Sequence, residues 1–286
     1  MTPIVAALRL YPVKACGPVA LERAFIGKRG LESFGVGDRR WMLVDASGAM
    51  VSQRQIPALA RVAVEIFDGR VLLSVQGRDN LILTPGRIEG EQESFTMFGR
   101  TIVGHPAPHE ASAWFSAFLG QKVRLMHQTE DDIRRCDPNY AVDPEADRVG
   151  FADAYPYLLA SEATLAKLNR HLDSPVPMNR FRPNIVIEGT QPDAEYGWRE
   201  IALGEARLAV VKPCTRCQVT TVDQNLGIFT GKEPLAALGR HYFLSDGGIQ
   251  GAIFGENAIP LRQGWVAVGD RVTVVETGET RPFQVV

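Results

Sequence analysis

From Thr2 to about residue 105 the apolar residues come in short bursts, each closed by turn chemistry within a few positions. That pattern predicts a twisted antiparallel sheet or barrel rather than βαβ units. Ile4 to Val13 opens as an apolar run, then alternates through Leu8, Arg9 and Leu10 before Pro12. Trp41-Met42-Leu43-Val44 runs into Asp45-Ala46-Ser47-Gly48, where the aspartate and glycine suit a turn. Val71 to Val75 follows Asp68-Gly69, and Leu81-Ile82-Leu83 precedes Pro85-Gly86.

The periodicity changes further on. Trp114, Phe115, Phe118 and Leu119 make one helical face within Glu110 to Leu119, and Gly120 supplies a stop. Residues 130–148 are polar, carry Pro138 and Pro144, and read as a long loop, a lid or a connection between domains. From about residue 150 a second unit begins. Ser161 is an N-cap candidate, Glu162 suits the first turn, and Leu165, Leu168 and Leu172 form a stripe that Pro175 and Pro177 forbid from continuing. Ile185-Val186-Ile187, Leu208 to Val211 and Val272 to Val275 read as buried strands, and Pro234 opens a short helix over Glu233 to Leu238. Gly247-Gly248 and Gly251 match no phosphate-binding glycine motif and read as a turn. The fold class is mainly β with a few helices, in three parts: 1–105, a helix and loop over 106–149, and 150–286.

At 286 residues the chain can bury one large core or, the favoured reading, two, and 45% hydrophobic against 22% charged residues is ordinary for a soluble protein. A net charge of −2 offers no general attraction to nucleic acid or anionic lipid, so an anion site must come from a local cluster of basic groups. No signal peptide and no membrane-spanning apolar stretch is visible. Cys16, Cys136, Cys214 and Cys217 are too dispersed for a disulfide scaffold. The expectation is a cytoplasmic protein with reduced thiols.

The chemistry concentrates in Lys212-Pro213-Cys214-Thr215-Arg216-Cys217. Thiolates are soft metal ligands, and a neighbouring guanidinium favours the ionised form. Half a zinc site is one alternative, but no second C-x-x-C exists, and Pro106 and Pro108 disfavour the helix that would align His105 with His109. A redox pair should open a helix, whereas Val219-Thr220-Thr221-Val222 looks strand-like. Buried inert thiols stay open as a third reading. Upstream, Arg180-Phe181-Arg182-Pro183-Asn184 places two forked cations before an apolar strand, suited to a phosphate or a polar fused ring or simply to a solvated loop. Lys14, Arg39 and Arg40 taken singly could be ordinary surface cations, and Asp153 could merely hold a turn.

In order and spacing these segments resemble a protein with an N-terminal MOSC-associated β-barrel domain followed by a MOSC β-barrel domain. The likeness is carried by Tyr11-Pro12-Val13-Lys14, Gly37-Asp38-Arg39-Arg40-Trp41, Ser161-Glu162-Ala163, Arg182-Pro183-Asn184-Ile185-Val186, Cys214-Thr215-Arg216-Cys217 and Gly269-Asp270-Arg271-Val272. It covers almost the whole chain and is nearest the mitochondrial amidoxime-reducing components and their bacterial relatives that detoxify N-hydroxylated bases. The resemblance implies a molybdenum–molybdopterin cofactor with Cys217 as the metal ligand and the catalytic cysteine. Cofactor contacts fall on Lys14, Arg39, Asp153, Arg182, Asn184, Thr215 and Arg216. It further implies reduction of a small N-hydroxylated substrate, with electrons from a separate redox protein.

Ala15, Ala152 and Ala154 replace hydroxyl residues of relatives, which removes side-chain contacts there. The chain ends ten residues past Glu276 without the cysteines of the iron–sulfur domain some bacterial relatives carry, hence the expectation of an external donor. A cofactor carrier or sulfur-transfer protein using the same cysteine is the rival reading, and a non-catalytic structural protein the third.

Overall fold

The computed structural model describes residues 2–246 and 248–279. Its largest sheet has nine strands, and the first strand of the chain is inside it. Ile4–Leu10 pairs with Val19–Leu21 on one side and, antiparallel, with Ile185–Glu188 on the other, in a register that sets Leu8 opposite Ile185. Beyond Ile185–Glu188 the order continues through Tyr157–Ser161, Ile249–Arg262, Ala206–Thr215, Trp198–Leu203 and Val272–Thr277. The strand Ile249–Arg262 also carries Phe243–Asp246. Of the glycines read as a turn, Gly248 is in one, Gly251 lies instead within the strand Ile249–Arg262, and Gly247 is outside the described residues.

The N-terminal part folds into smaller sheets. Glu93–Met97, Arg100–Pro106, Arg124–His127, Trp41–Val44 and Met50–Val51 form one in that order, and Ala63–Phe67, Arg70–Ser74 and Leu81–Leu83 form another. The late strand Gly264–Ala267 returns to pair with Arg23–Gly27. The two parts therefore exchange strands in both directions, and one apolar cluster runs from Leu43, Val71 and Phe115 to Leu208 and Val266 without a break.

Among the described residues three α-helices decorate the sheets, named here α1 (His109–Leu119), α2 (Glu162–Asn169) and α3 (Leu235–His241). Helix α1 stops at Gly120, whose φ of 66° is the left-handed conformation that spares a glycine any Cβ clash. Helix α2 is capped as read: Ser161 Oγ accepts from Thr164 N at 3.3 Å, and Leu165 and Leu168 are buried. It ends before Leu172, so the leucine stripe outruns the helix.

Residues 218–221 depart from expectation. The strand-like run is a 3₁₀ turn, because Thr220 Oγ1 donates to the Cys217 carbonyl and Thr221 Oγ1 to that of Gln218, at 3.0 and 2.8 Å. Local hydroxyl bonding defeats β propensity there.

One buried carboxyl stands apart from the cleft. Glu195 is 1% exposed and accepts a hydrogen bond from Thr164 Oγ1 at 2.8 Å. Burial, assisted by neighbouring Asp193, pushes its pKa up to about 7. A raised carboxyl pKa means the folded state holds its proton more tightly, so stability is lost as pH rises from the unfolded value through 7. Glu195→Gln should therefore melt higher than wild type at pH 8, by on the order of 3 kcal/mol, with the gap closing at pH 4. Thermal melts across that range will check it, and a pH-independent gap would count against the burial argument.

Candidate functional site

Strand pairing decides where the conspicuous side chains go. Because Ile4–Leu10 lies beside Ile185–Glu188, the segment leaving the first strand runs alongside the segment entering the second, with Arg9 N donating to Asn184 O at 2.8 Å. Asp38 ties these segments to a third. Its carboxylate is 2% exposed and accepts from Tyr11 N and Asn184 Nδ2, both at 2.9 Å, and from Arg39 Nη1 at 2.5 Å. The Tyr11 ring then carries two guanidinium groups, Arg39 at 4.5 Å and Arg182 at 4.4 Å from its centroid.

The result is a single open cleft, with about 880 Å³ of space including its mouth, at the junction of the two parts. All eight residues singled out by sequence line it: Lys14, Arg39, Asp153, Arg182, Asn184, Thr215, Arg216 and Cys217. Arg40 and Arg180 do not. Arg40 turns to Glu130 at 2.6 Å, and Arg180 pairs with Asp223 at 3.0 Å. Of the seven non-glycine residues with left-handed backbones among the described residues, Ala15, Arg39, Phe98 and Arg182 lie on this cleft. Strained backbone gathered at one place marks a site whose geometry is held by its surroundings.

Electrostatically the cleft is cationic. Lys14, Arg39, Arg54, Arg182 and Arg216 face one carboxylate, Asp153. Lys14 is 7% exposed and donates to Phe151 O at 2.8 Å and to Asp153 at 2.5 Å. Burial lowers its pKa, and the attraction of Asp153 offsets part of that. Burial likewise brings Arg182 down to about 10. Asp153 keeps its carboxylate open to the cleft; burial of its surroundings opposes the charge, and Lys14, Arg54 and Arg39 outweigh it, holding the pKa below the usual range.

The two thiols differ in their partners. Cys217 Sγ accepts from Arg54 Nε at 3.3 Å, and Cys214 Sγ accepts from Arg216 Nη1 at 2.9 Å. Both are partly exposed, whereas Cys16 is fully buried, its thiol pushed up to about 12 by burial. Its carbonyl accepts from Arg182 Nη2 at 2.7 Å.

Several residues escaped the sequence reading. Arg54 and Gln53 come from a loop after Met50–Val51, and Phe98 from a hairpin tip; no local pattern marks them. Gln53 and Gln224 form a reciprocal amide pair across the junction, at 3.1 and 2.9 Å. Arg134, in the polar loop, donates to the carbonyls of Gly150 and Ala152 at 2.5 Å and of Asp153 at 2.6 Å. That fixes the loop bearing Asp153. Gly150 is required there by close approach: a Cβ would stand 2.8 Å from Asp38 O and 3.0 Å from Arg39 O. So the polar stretch works as a brace for the cleft wall.

With that geometry in place, the class is plain. Residues 2–122 match the MOSC N-terminal beta barrel domain and residues 146–273 the MOSC domain, the two β-rich units expected from the motifs. Mitochondrial amidoxime-reducing component 1 of Mus musculus is 35% identical over 277 residues, covering 94% of this chain and 81% of that protein. The Homo sapiens protein of the same name is 34% identical, covering 94% and 82%. Mitochondrial amidoxime reducing component 2 of Bos taurus is 33% identical, covering 85% and 73%. The chain belongs to this family of two-domain MOSC proteins.

Arg134→Met should leave the Gly150 and Ala152 carbonyls without their charged donor. We expect a loss of about 1–3 kcal/mol in unfolding free energy and faster proteolysis between 148 and 156. A normal melt with unchanged cleavage would mean the brace is idle.

Proposed function

We propose that the protein is a molybdenum-cofactor-dependent reductase of small N-hydroxylated compounds, with the Cys217 thiolate as metal ligand. One observation carries the reading: a partly exposed thiol with a guanidinium donor stands in a cleft where five cations from both parts of the chain face a single carboxylate. A chain of net charge −2 gathers such a cluster only at a cost in mutual repulsion, which an anionic ligand relieves.

The residues fit a molybdopterin. The soft donor is Cys217. Arg216 lines the same cleft, its guanidinium held by the Phe181 carbonyl at 2.7 Å. Lys14, Arg39 and Arg182 would compensate the phosphate, while Asn184, Asp153 and the backbone at Thr215 would meet the polar heterocycle. Ala15, Ala152 and Ala154 bring no hydroxyls, so contacts in those loops fall to backbone groups. When bound, the cofactor supplies two-electron oxygen-transfer chemistry.

The chain's own part is placement and electrostatics. Its arginines keep permanent charge in a partly dry cleft, and the Arg134 brace holds the Asp153 wall fixed while substrate enters. Each turnover breaks one N–O bond, consumes two electrons and two protons, and releases the reduced nitrogen compound and water. A separate small redox protein is proposed as the electron source, and the cytoplasm as the compartment.

Molybdenum content by mass spectrometry, wild type against Cys217→Ala from a cofactor-competent host, tests the ligand. Near-stoichiometric metal in the wild type and its loss in the variant are expected, together with benzamidoxime reduction by the wild type from an artificial donor. Metal retained without any reduction would favour the cofactor-carrier reading instead, and metal equally present in both proteins would remove Cys217 from the coordination sphere.

A further inference from the structure

The mouth of the cleft is built by two residues that the motifs do not include. Phe98 is the tip of the hairpin joining Glu93–Met97 to Arg100–Pro106. It and Gly99 both have positive φ, 51° and 73°, the pattern of a two-residue hairpin turn that favours Asn, Asp or Gly at the first position. A phenylalanine there is strained and also 44% exposed, so neither turn geometry nor core packing accounts for it.

Its ring is met by the Arg54 guanidinium, 4.6 Å from the centroid, with Lys14 Nζ at 5.6 Å. Arg54 is itself held rigidly. Its N donates to Ser52 Oγ at 3.2 Å, and its carbonyl accepts from Gln218 Nε2 at 2.9 Å across the junction. Its Nε reaches Cys217 Sγ, and its two terminal nitrogens hydrogen-bond to no protein group among the described residues. A guanidinium with one edge on the thiol and a free fork beside it is preorganised to receive an oxygen atom there.

We infer that Arg54 and Phe98 form the substrate-orienting wall of the cleft. The free Arg54 fork takes the oxygen of the N–O group next to Cys217, and the Phe98 face selects substrates with a planar aromatic body. This rests on the reductase reading of the same cleft. An N-hydroxylated amidine is neutral and offers that oxygen as an acceptor; once reduced it has lost the acceptor and takes up a proton, and a guanidinium repels it. The wall thus binds substrate in preference to product.

The test uses holoprotein of the wild type, Arg54→Ala, Arg54→Lys, Phe98→Ala and Phe98→Asn. Molybdenum per chain is measured first, then equilibrium binding of benzamidoxime and of acetamidoxime by calorimetry, with no electron donor present. All proteins should hold the metal. Arg54→Ala should bind both ligands about tenfold more weakly, with Arg54→Lys between it and wild type. Phe98→Ala and Phe98→Asn should lose about tenfold for benzamidoxime alone. The Asn variant, better suited to the turn, should do so while melting no lower than wild type. Loss of metal in Arg54→Ala would reassign it to holding the thiol, and unchanged binding would sink its role in substrate recognition. Equal effects of Phe98→Ala on both ligands, or none, would overturn the selection. If metal-loaded wild type binds neither ligand, the reductase reading fails and this inference with it; if it binds both and no variant differs, only the inference fails.

Discussion

The buried carboxylate of Asp38 holds the cleft together. It joins the backbone leaving the first strand, the Asn184 amide and the Arg39 guanidinium through three hydrogen bonds, all away from water. Breaking a buried ion pair from one side typically costs about 3–5 kcal/mol, because the remaining charge is stranded. Here the stranded partner would be Arg39, which also stacks on Tyr11 and donates to Asn184 Oδ1 at 3.2 Å. Tyr11, Arg39, Arg182 and Asn184 are therefore not four independent contributors to the site. They are one network with an anionic centre, and its outer surface is the cationic wall.

That arrangement explains how a slightly acidic chain builds a strongly basic cleft. Most of its cations donate a hydrogen bond to a backbone carbonyl: Arg182 to Cys16, Arg39 to Arg182, Arg216 to Phe181 and Lys14 to Phe151. Arg39 and Lys14 also meet carboxylates, Asp38 and Asp153, whereas Arg182 and Arg216 are oriented by carbonyl dipoles that leave their positive charge uncancelled. Among the described residues only Lys14 is paired with a carboxylate that faces the cleft, and that carboxylate opposes the lowering of its pKa by burial.

How much of this the sequence displayed depends on whether each signal is local. The strands, the capped helix at Ser161 and the glycine stop at 120 were legible because turn chemistry and periodicity act within a few residues. Every site residue read from the motifs reached the cleft, since those motifs flank strands whose pairing carries them there. Arg54, Phe98 and Arg134 were not legible. Each acts through a partner far along the chain, and nothing around it distinguishes it from a surface residue. The run at 219–222 misled because two threonine hydroxyls, favourable in a strand, bond instead to carbonyls three residues back.

The exchange of strands between the two parts has a mechanical consequence. A ligand cleft between separately folded units can open about a hinge, but here Ile4–Leu10 is stitched into the large sheet and Gly264–Ala267 into the small one. Parting the halves would tear two ladders of backbone hydrogen bonds, so a ligand must enter through the standing mouth. The same stitching orders assembly. Ile4–Leu10 leaves the ribosome early and can pair at once with Val19–Leu21, but its other edge waits for Ile185–Glu188, so the floor of the cleft closes only once most of the chain has been made.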